Sequence, residues 1–79
     1  MRTYTKTYNT VEGATTIRTG DLAYIKTESI KIVCREGIEY DIVTGTPDNR
    51  QVKHTPSTGE LDFGTPHELN ARVFVKYEH

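Results

Sequence analysis

The amino-acid sequence predicts an all-β fold, a small antiparallel β-sandwich or barrel of about 6–8 short strands. Three observations lead there. Threonine takes 13 of 79 positions and alanine only 3, and a β-branched side chain suits a half-exposed pleated surface better than a helix. Side chains alternate with period two over 30–35, 38–43 and 72–77, the pattern of strands with one buried face. No apolar stripe of helical period runs beyond one turn.

Along the chain, strands are expected at 2–8, 14–18, 22–25, 29–35, 38–43, 50–55, 60–63 and 71–77. Glu36-Gly37 separates two alternating runs by two residues, the spacing of a tight hairpin in which Gly37 supplies a positive φ. Thr44-Gly45-Thr46-Pro47-Asp48-Asn49 is a turn cluster. Pro56-Ser57-Thr58-Gly59 fits a type I turn closed by a glycine bulge, joining 50–55 to 60–63. Thr65-x-x-Glu68 has the form of a capping box. So few residues follow before the last strand that a single turn or a loop is expected. Ile30, Ile32 and Cys34 are expected on the core face, as are Ile38, Tyr40 and Ile42, and Val73, Val75 and Tyr77. Val33, Val43 and Phe74 then fall on the opposite faces.

Residues 1–12 are read as an N-terminal strand or assembly arm and 13–79 as a single β-domain. In the arm, Tyr4, Lys6 and Tyr8 share one face and Thr3, Thr5 and Thr7 the other. Such an arm can add to a neighbouring subunit's sheet, with backbone pairing and tyrosine rings supplying the contact.

Composition narrows the function. A 9.0 kDa chain with 17 Leu, Ile, Val and Phe residues builds a thin core and leaves little room for a deep substrate cavity. A net charge of −1 provides no long-range field for nucleic acid or an anionic membrane. No apolar run approaches the ~20 residues of a membrane span, and the N-terminus lacks the apolar stretch of a signal peptide. A single cysteine, Cys34, excludes an internal disulfide and any zinc site that needs two thiolates.

No pattern points to catalysis, and the expectation is a protein that is not an enzyme and needs no cofactor. His54, His67 and His79 stand at least 12 residues apart, without metal-ligand spacing. Cys34 reads as a small buried hydrophobe. Glu39 and Asp41 read as solvated acids able to pair with Lys31 or Arg35 across the hairpin. The glycines are too dispersed for a phosphate loop. Phe74-Val75-Lys76-Tyr77 matches the end of an RNA-recognition pattern, but Ala71 and Arg72 replace its glycine and earlier aromatic. Arg35, Arg50 and Lys53 suggest a local basic patch, and 11 acids against 10 bases weigh against nucleic acid. Phe74, out of phase with a core-facing strand, is the best sign of a surface meant to be covered. Tyr4, Tyr8, Phe74 and Tyr77 are the expected contact residues.

The segment Arg35-Glu36-Gly37-Ile38-Glu39-Tyr40-Asp41-Ile42-Val43-Thr44-Gly45-Thr46-Pro47-Asp48-Asn49-Arg50-Gln51-Val52 is followed by Pro56-Ser57-Thr58-Gly59-Glu60-Leu61-Asp62-Phe63 and Arg72-Val73-Phe74-Val75-Lys76-Tyr77-Glu78. Over residues 30–78 the chain resembles small β-domains that recur in tailed-bacteriophage virion proteins: head fibres, decoration proteins and tail-associated proteins. His67-Glu68-Leu69-Asn70 stands where those domains often carry N-x-G-E. The resemblance implies a structural role in a virion, synthesis in the bacterial cytoplasm, and partners that are further copies of the chain or other virion proteins. It carries over no catalytic residue. The alternative is a stand-alone module that binds single-stranded nucleic acid or inhibits a host protein.

Overall fold

A computed structural model describes residues 2–79. Seven strands form one mixed sheet that curls into a nearly closed barrel: β1 Thr3–Asn9, β2 Thr16–Arg18, β3 Ile30–Arg35, β4 Ile38–Val43, β5 Gln51–Thr55, β6 Glu60–Phe63 and β7 Arg72–Glu78. Their order across the sheet is β1-β7-β3-β4-β5-β6-β2. The all-β expectation holds, and the only helical pieces among the described residues are two 3-10 turns, Gly20–Leu22 and Thr27–Ser29.

Local chemistry explains the turns. Glu36 (φ 57°) and Gly37 (φ 77°) both sit in the left-handed region, the geometry that matches strand twist in a two-residue hairpin. In the β5–β6 turn, the amides of Thr58 and Gly59 both donate to the Thr55 carbonyl, at 3.3 and 2.9 Å, and Gly59 takes φ 76°. Thr65 to Asn70 stays a loop; the Ala71 amide closes its end on the Glu68 carbonyl at 3.2 Å.

Three expectations need correction. First, no strand forms at 22–25. The Thr19 hydroxyl accepts from the Asp21 amide at 3.2 Å and starts a 3-10 turn instead. Leu22 and Ile25 then reach the core at a spacing of three, while Tyr24 turns outward at φ 62°. Second, β3 reverses its faces. Its register with β7 jumps from Ile30↔Tyr77 to Ile32↔Lys76, so Lys31 is an inserted residue. One extra residue flips every side chain beyond it. Ile30, Val33 and Arg35 are therefore buried, and Ile32 and Cys34 lie half-buried on the outer face. Third, β4 and β5 pair in parallel, Asp41↔Gln51 to Val43↔Lys53, while all other pairs are antiparallel. Only three residues pair, so the short loop after Val43 has reach enough to return. Arg50 (φ 63°) and the Gln51 amide, donating to the Asp48 carbonyl at 3.0 Å, make the final turn into β5.

The core joins both halves of the sheet. Val33, Val52, Leu61, Phe63, Val73 and Val75 fill it from four strands, and Leu22 caps it from the 3-10 turn. β1 is part of this same sheet, paired with the chain's own β7 over seven residues. Within the segment 1–12, read as a strand or an assembly arm, residues 3–9 form a strand; Met1 lies outside the described residues. Lys6, exposed between the half-buried Tyr4 and Tyr8, also guards β1 as an edge strand, because a charge at an inward position opposes pairing with another edge.

Candidate functional site

The four predicted contact residues part company. Tyr77 is in the core at 4% exposure, so its ring has no surface left for a partner. Tyr4 stacks on it with ring centroids 5.3 Å apart. Tyr8 packs against the core and donates its hydroxyl to Asp21 Oδ2 at 2.9 Å, tying β1 to the segment after β2. Burial pushes the Tyr8 phenol far above its ordinary pKa, and the Asp21 carboxylate adds to that despite the opposing Thr19 hydroxyl. Phe74 alone stands outside, at 37% exposure.

Phe74 occupies the middle of an outer face spanning β1, β7, β3 and β4. The register places Thr7, Phe74, Cys34 and Glu39 in one row across these four strands. Thr5, Lys76 and Ile32 make the next row. A half-exposed aromatic ring thus sits among mostly polar neighbours. The charges on this face are segregated. β7 presents exposed Arg72 and Lys76, and β4 presents exposed Glu39 and Asp41. None of the four forms a salt bridge among the described residues, where Lys31 pairs with Glu78 at 3.5 Å rather than with Glu39 or Asp41.

The second concentration of chemistry lies at the barrel end beside the β3–β4 turn. Arg35, expected at the surface, is 7% exposed. Its Nε and Nη2 donate to the Tyr40 hydroxyl at 3.1 and 2.8 Å, its Nη1 donates to the Thr65 carbonyl at 2.8 Å, and Nη2 also reaches Thr65 Oγ1. Nη1 further donates to His67 Nδ1 at 3.2 Å. The guanidinium lies 4.7 Å from the Phe63 ring centroid and 5.0 Å from that of Tyr40. No carboxylate touches it; neutral acceptors and ring faces hold the charge. His67 Nε2 lies 3.0 Å from the Thr16 carbonyl, which only accepts, so Nε2 carries the proton and Nδ1 is left to receive Arg35. The predicted basic patch therefore does not form, since Arg35 has left the surface.

Sequence reasoning missed this cluster because it read a charged residue as exposed. The usable signal was that Arg35 shares phase with Val33, whose partner across the two-residue turn is Tyr40, so Arg35 and Tyr40 lie diagonally on one face. The other candidates remain ordinary. His54 is buried, with Nε2 donating to the Leu22 carbonyl at 2.8 Å and Nδ1 accepting from Thr27 Oγ1 at 2.9 Å, a structural tie to the 3-10 turn. Cys34 lies opposite Phe74 on the outer face instead of in the core, and burial with the Glu39 charge raises its thiol pKa, which holds it in the unreactive form. Among the described residues no group of three or more His, Cys, Asp or Glu side chains is placed to hold a metal, and no helix is long and apolar enough to cross a membrane.

No family model, no curated protein and no solved structure matches the chain.

His67 sets an expectation for pH. Burial lowers its pKa, and the Arg35 charge lowers it further, against the raising effect of the Thr16 hydrogen bond. The exposed Glu12, Glu36 and Glu68 line the surface opening that His67 also borders. Because folding lowers the imidazole pKa, the unfolded chain takes the proton first as pH falls. The His67 contribution is then complete above about pH 6.5 and declines below it. Urea midpoints measured from pH 8 to pH 5 should fall in that window, and His67→Gln should flatten the fall. An equal slope in both proteins would assign the effect elsewhere.

Proposed function

We propose that this chain is a non-enzymatic assembly module of a bacteriophage-type virion, a decoration, head-fibre or tail-associated part, that works by packing the outer face of β1, β7, β3 and β4 against a second copy. The observation that carries the reading is Phe74, exposed between Arg72 and Lys76 on the basic strand β7, with the acidic strand β4 on the other side of β3. A two-fold axis along β3 lays β7 of one copy over β4 of the other and brings Arg72 and Lys76 toward Glu39 and Asp41. One patch then serves both partners, as an isologous contact requires. The phage setting rests on the resemblance of residues 30–78 and is supported by the all-β barrel.

Phe74→Asp tests it. The ring is outside the core cluster, so the variant should fold. Loss of a central aromatic should weaken association by about 30-fold or more, and sedimentation should show a monomer where the parent protein is a dimer or larger. Salt should weaken the parent assembly, because the rim charges are exposed. A parent protein that stays monomeric at millimolar concentration overturns the reading.

A further inference from the structure

The Arg35 end of the barrel opens into a cleft of about 770 Å³. Three loops converge on it. The Gly13 amide donates to the His67 carbonyl at 3.0 Å, the His67 amide to Ala14 at 2.7 Å, and the Glu36 amide to Arg72 at 3.1 Å. Its apolar wall is Ile38, Pro66 and Leu69. Ile38 and Leu69, 40% and 66% exposed, are two of the five exposed large hydrophobics among the described residues, and both are on this cleft. Around the mouth stand Glu12, Glu36 and Glu68, one from each loop, all exposed. None has a cationic partner among the described residues.

The floor does not cancel this charge. Three carboxylates against the single Arg35 guanidinium, with His67 neutral, leave the lining at −2. The Arg35 donors are all directed at Tyr40, Thr65 and His67, which leaves none for an anion. The carboxylates are also not gathered closely enough to hold one metal ion. Spread negative charges around an apolar wall call for several cations on an apolar backbone rather than for one point charge.

We propose that this cleft docks an extended polypeptide segment of a partner protein in which lysine or arginine alternates with aliphatic residues. Alternation suits the site because successive side chains of an extended chain point to opposite sides. Aliphatic groups meet Ile38 and Leu69 while the basic ones reach the glutamates on the rim. This surface is at the barrel end, apart from the Phe74 face, and does not depend on self-association.

The test uses the full chain and three capped five-residue peptides: alternating lysine and valine, lysine and serine, and glutamate and valine. Binding is followed by amide shifts in ¹H–¹⁵N spectra at low salt. The lysine–valine peptide should give saturable shifts at Gly13, Glu36, Ile38 and Leu69, and bind at least about fivefold more tightly than either control. The Glu36→Gln/Glu68→Gln double variant should lose about 3- to 10-fold in affinity, in keeping with exposed ion pairs. Phe74→Asp should bind the peptide as the parent does, even if the proposed assembly fails. Shifts centred elsewhere, equal binding by either control, or no shifts at millimolar peptide would overturn the proposal.

Discussion

Replacing Arg35 with alanine is expected to cost about 3–4 kcal/mol of folding stability. The protein as a whole is expected to have about 4–12 kcal/mol, at the usual stability per residue, so this is a large share. The loss has two sources. The side chain packs between Phe63 and Tyr40, and truncation opens a void there. It also strips the partner from the Tyr40 hydroxyl, the Thr65 carbonyl and hydroxyl, and His67 Nδ1. Buried groups left without partners cost about 1–3 kcal/mol each before relaxation or entering water offsets part of it. Arg35→Met separates the two sources. It keeps most of the volume and removes a buried charge that has no carboxylate, which is itself a gain. If hydrogen bonding is the larger part, Met should still lose about 2 kcal/mol. Urea unfolding of the three proteins decides the matter, and a Met variant as stable as the parent would mean desolvation of the guanidinium cancels its hydrogen bonds. Amide exchange should speed up at Gly13 and His67 in the alanine variant, since the Gly13 amide donates to the His67 carbonyl and the His67 amide to the Ala14 carbonyl, and both bonds depend on His67 staying in place.

The parts of the molecule legible in the sequence are those fixed by local chemistry. Glu36-Gly37 and Pro56 to Gly59 formed the turns their residues demand, because a positive φ or a fixed proline leaves few alternatives. Arg72–Glu78 alternates cleanly, so Val73, Val75 and Tyr77 went inward and Phe74 outward. That same parity placed Tyr77 in the core, which leaves no room for its second reading as a contact residue. Over Ile30–Arg35 the pattern was ambiguous, since Ile32 and Val33 are adjacent apolar residues of opposite phase. The insertion at Lys31 that chooses between them is set by β7, a partner about forty residues away. Parallel pairing of β4 with β5 was also invisible, because alternation reads the same whichever way a neighbour runs. The cleft was hidden for a related reason. It is assembled from loops at three distant points, and its buried floor is a residue type that is almost always exposed.

Gly59→Ala is expected to cost about 3 kcal/mol, against about 1 kcal/mol for Gly37→Ala. The two glycines share nearly the same backbone, φ 76° and 77°, so the left-handed penalty is common to both. Their surroundings differ. A Cβ on Gly37 meets nothing within 4 Å. A Cβ on Gly59 falls 2.1 Å from the Thr19 carbonyl oxygen and 2.9 Å from the Ala23 amide nitrogen, both backbone atoms that no rotamer change can move aside. The 3-10 turn Gly20–Leu22 must therefore retreat from the β5–β6 hairpin. It is held on that side by the His54 bond to the Leu22 carbonyl and by the Tyr24 amide, which donates to Pro56 at 2.7 Å. Retreat would strain those bonds and draw Leu22, fully buried, out of the core. The comparison of urea midpoints between the two variants removes the conformational part and leaves the steric one. Equal losses would show that the turn gives way freely, and that the close approach at Gly59 does not anchor Leu22 in the barrel.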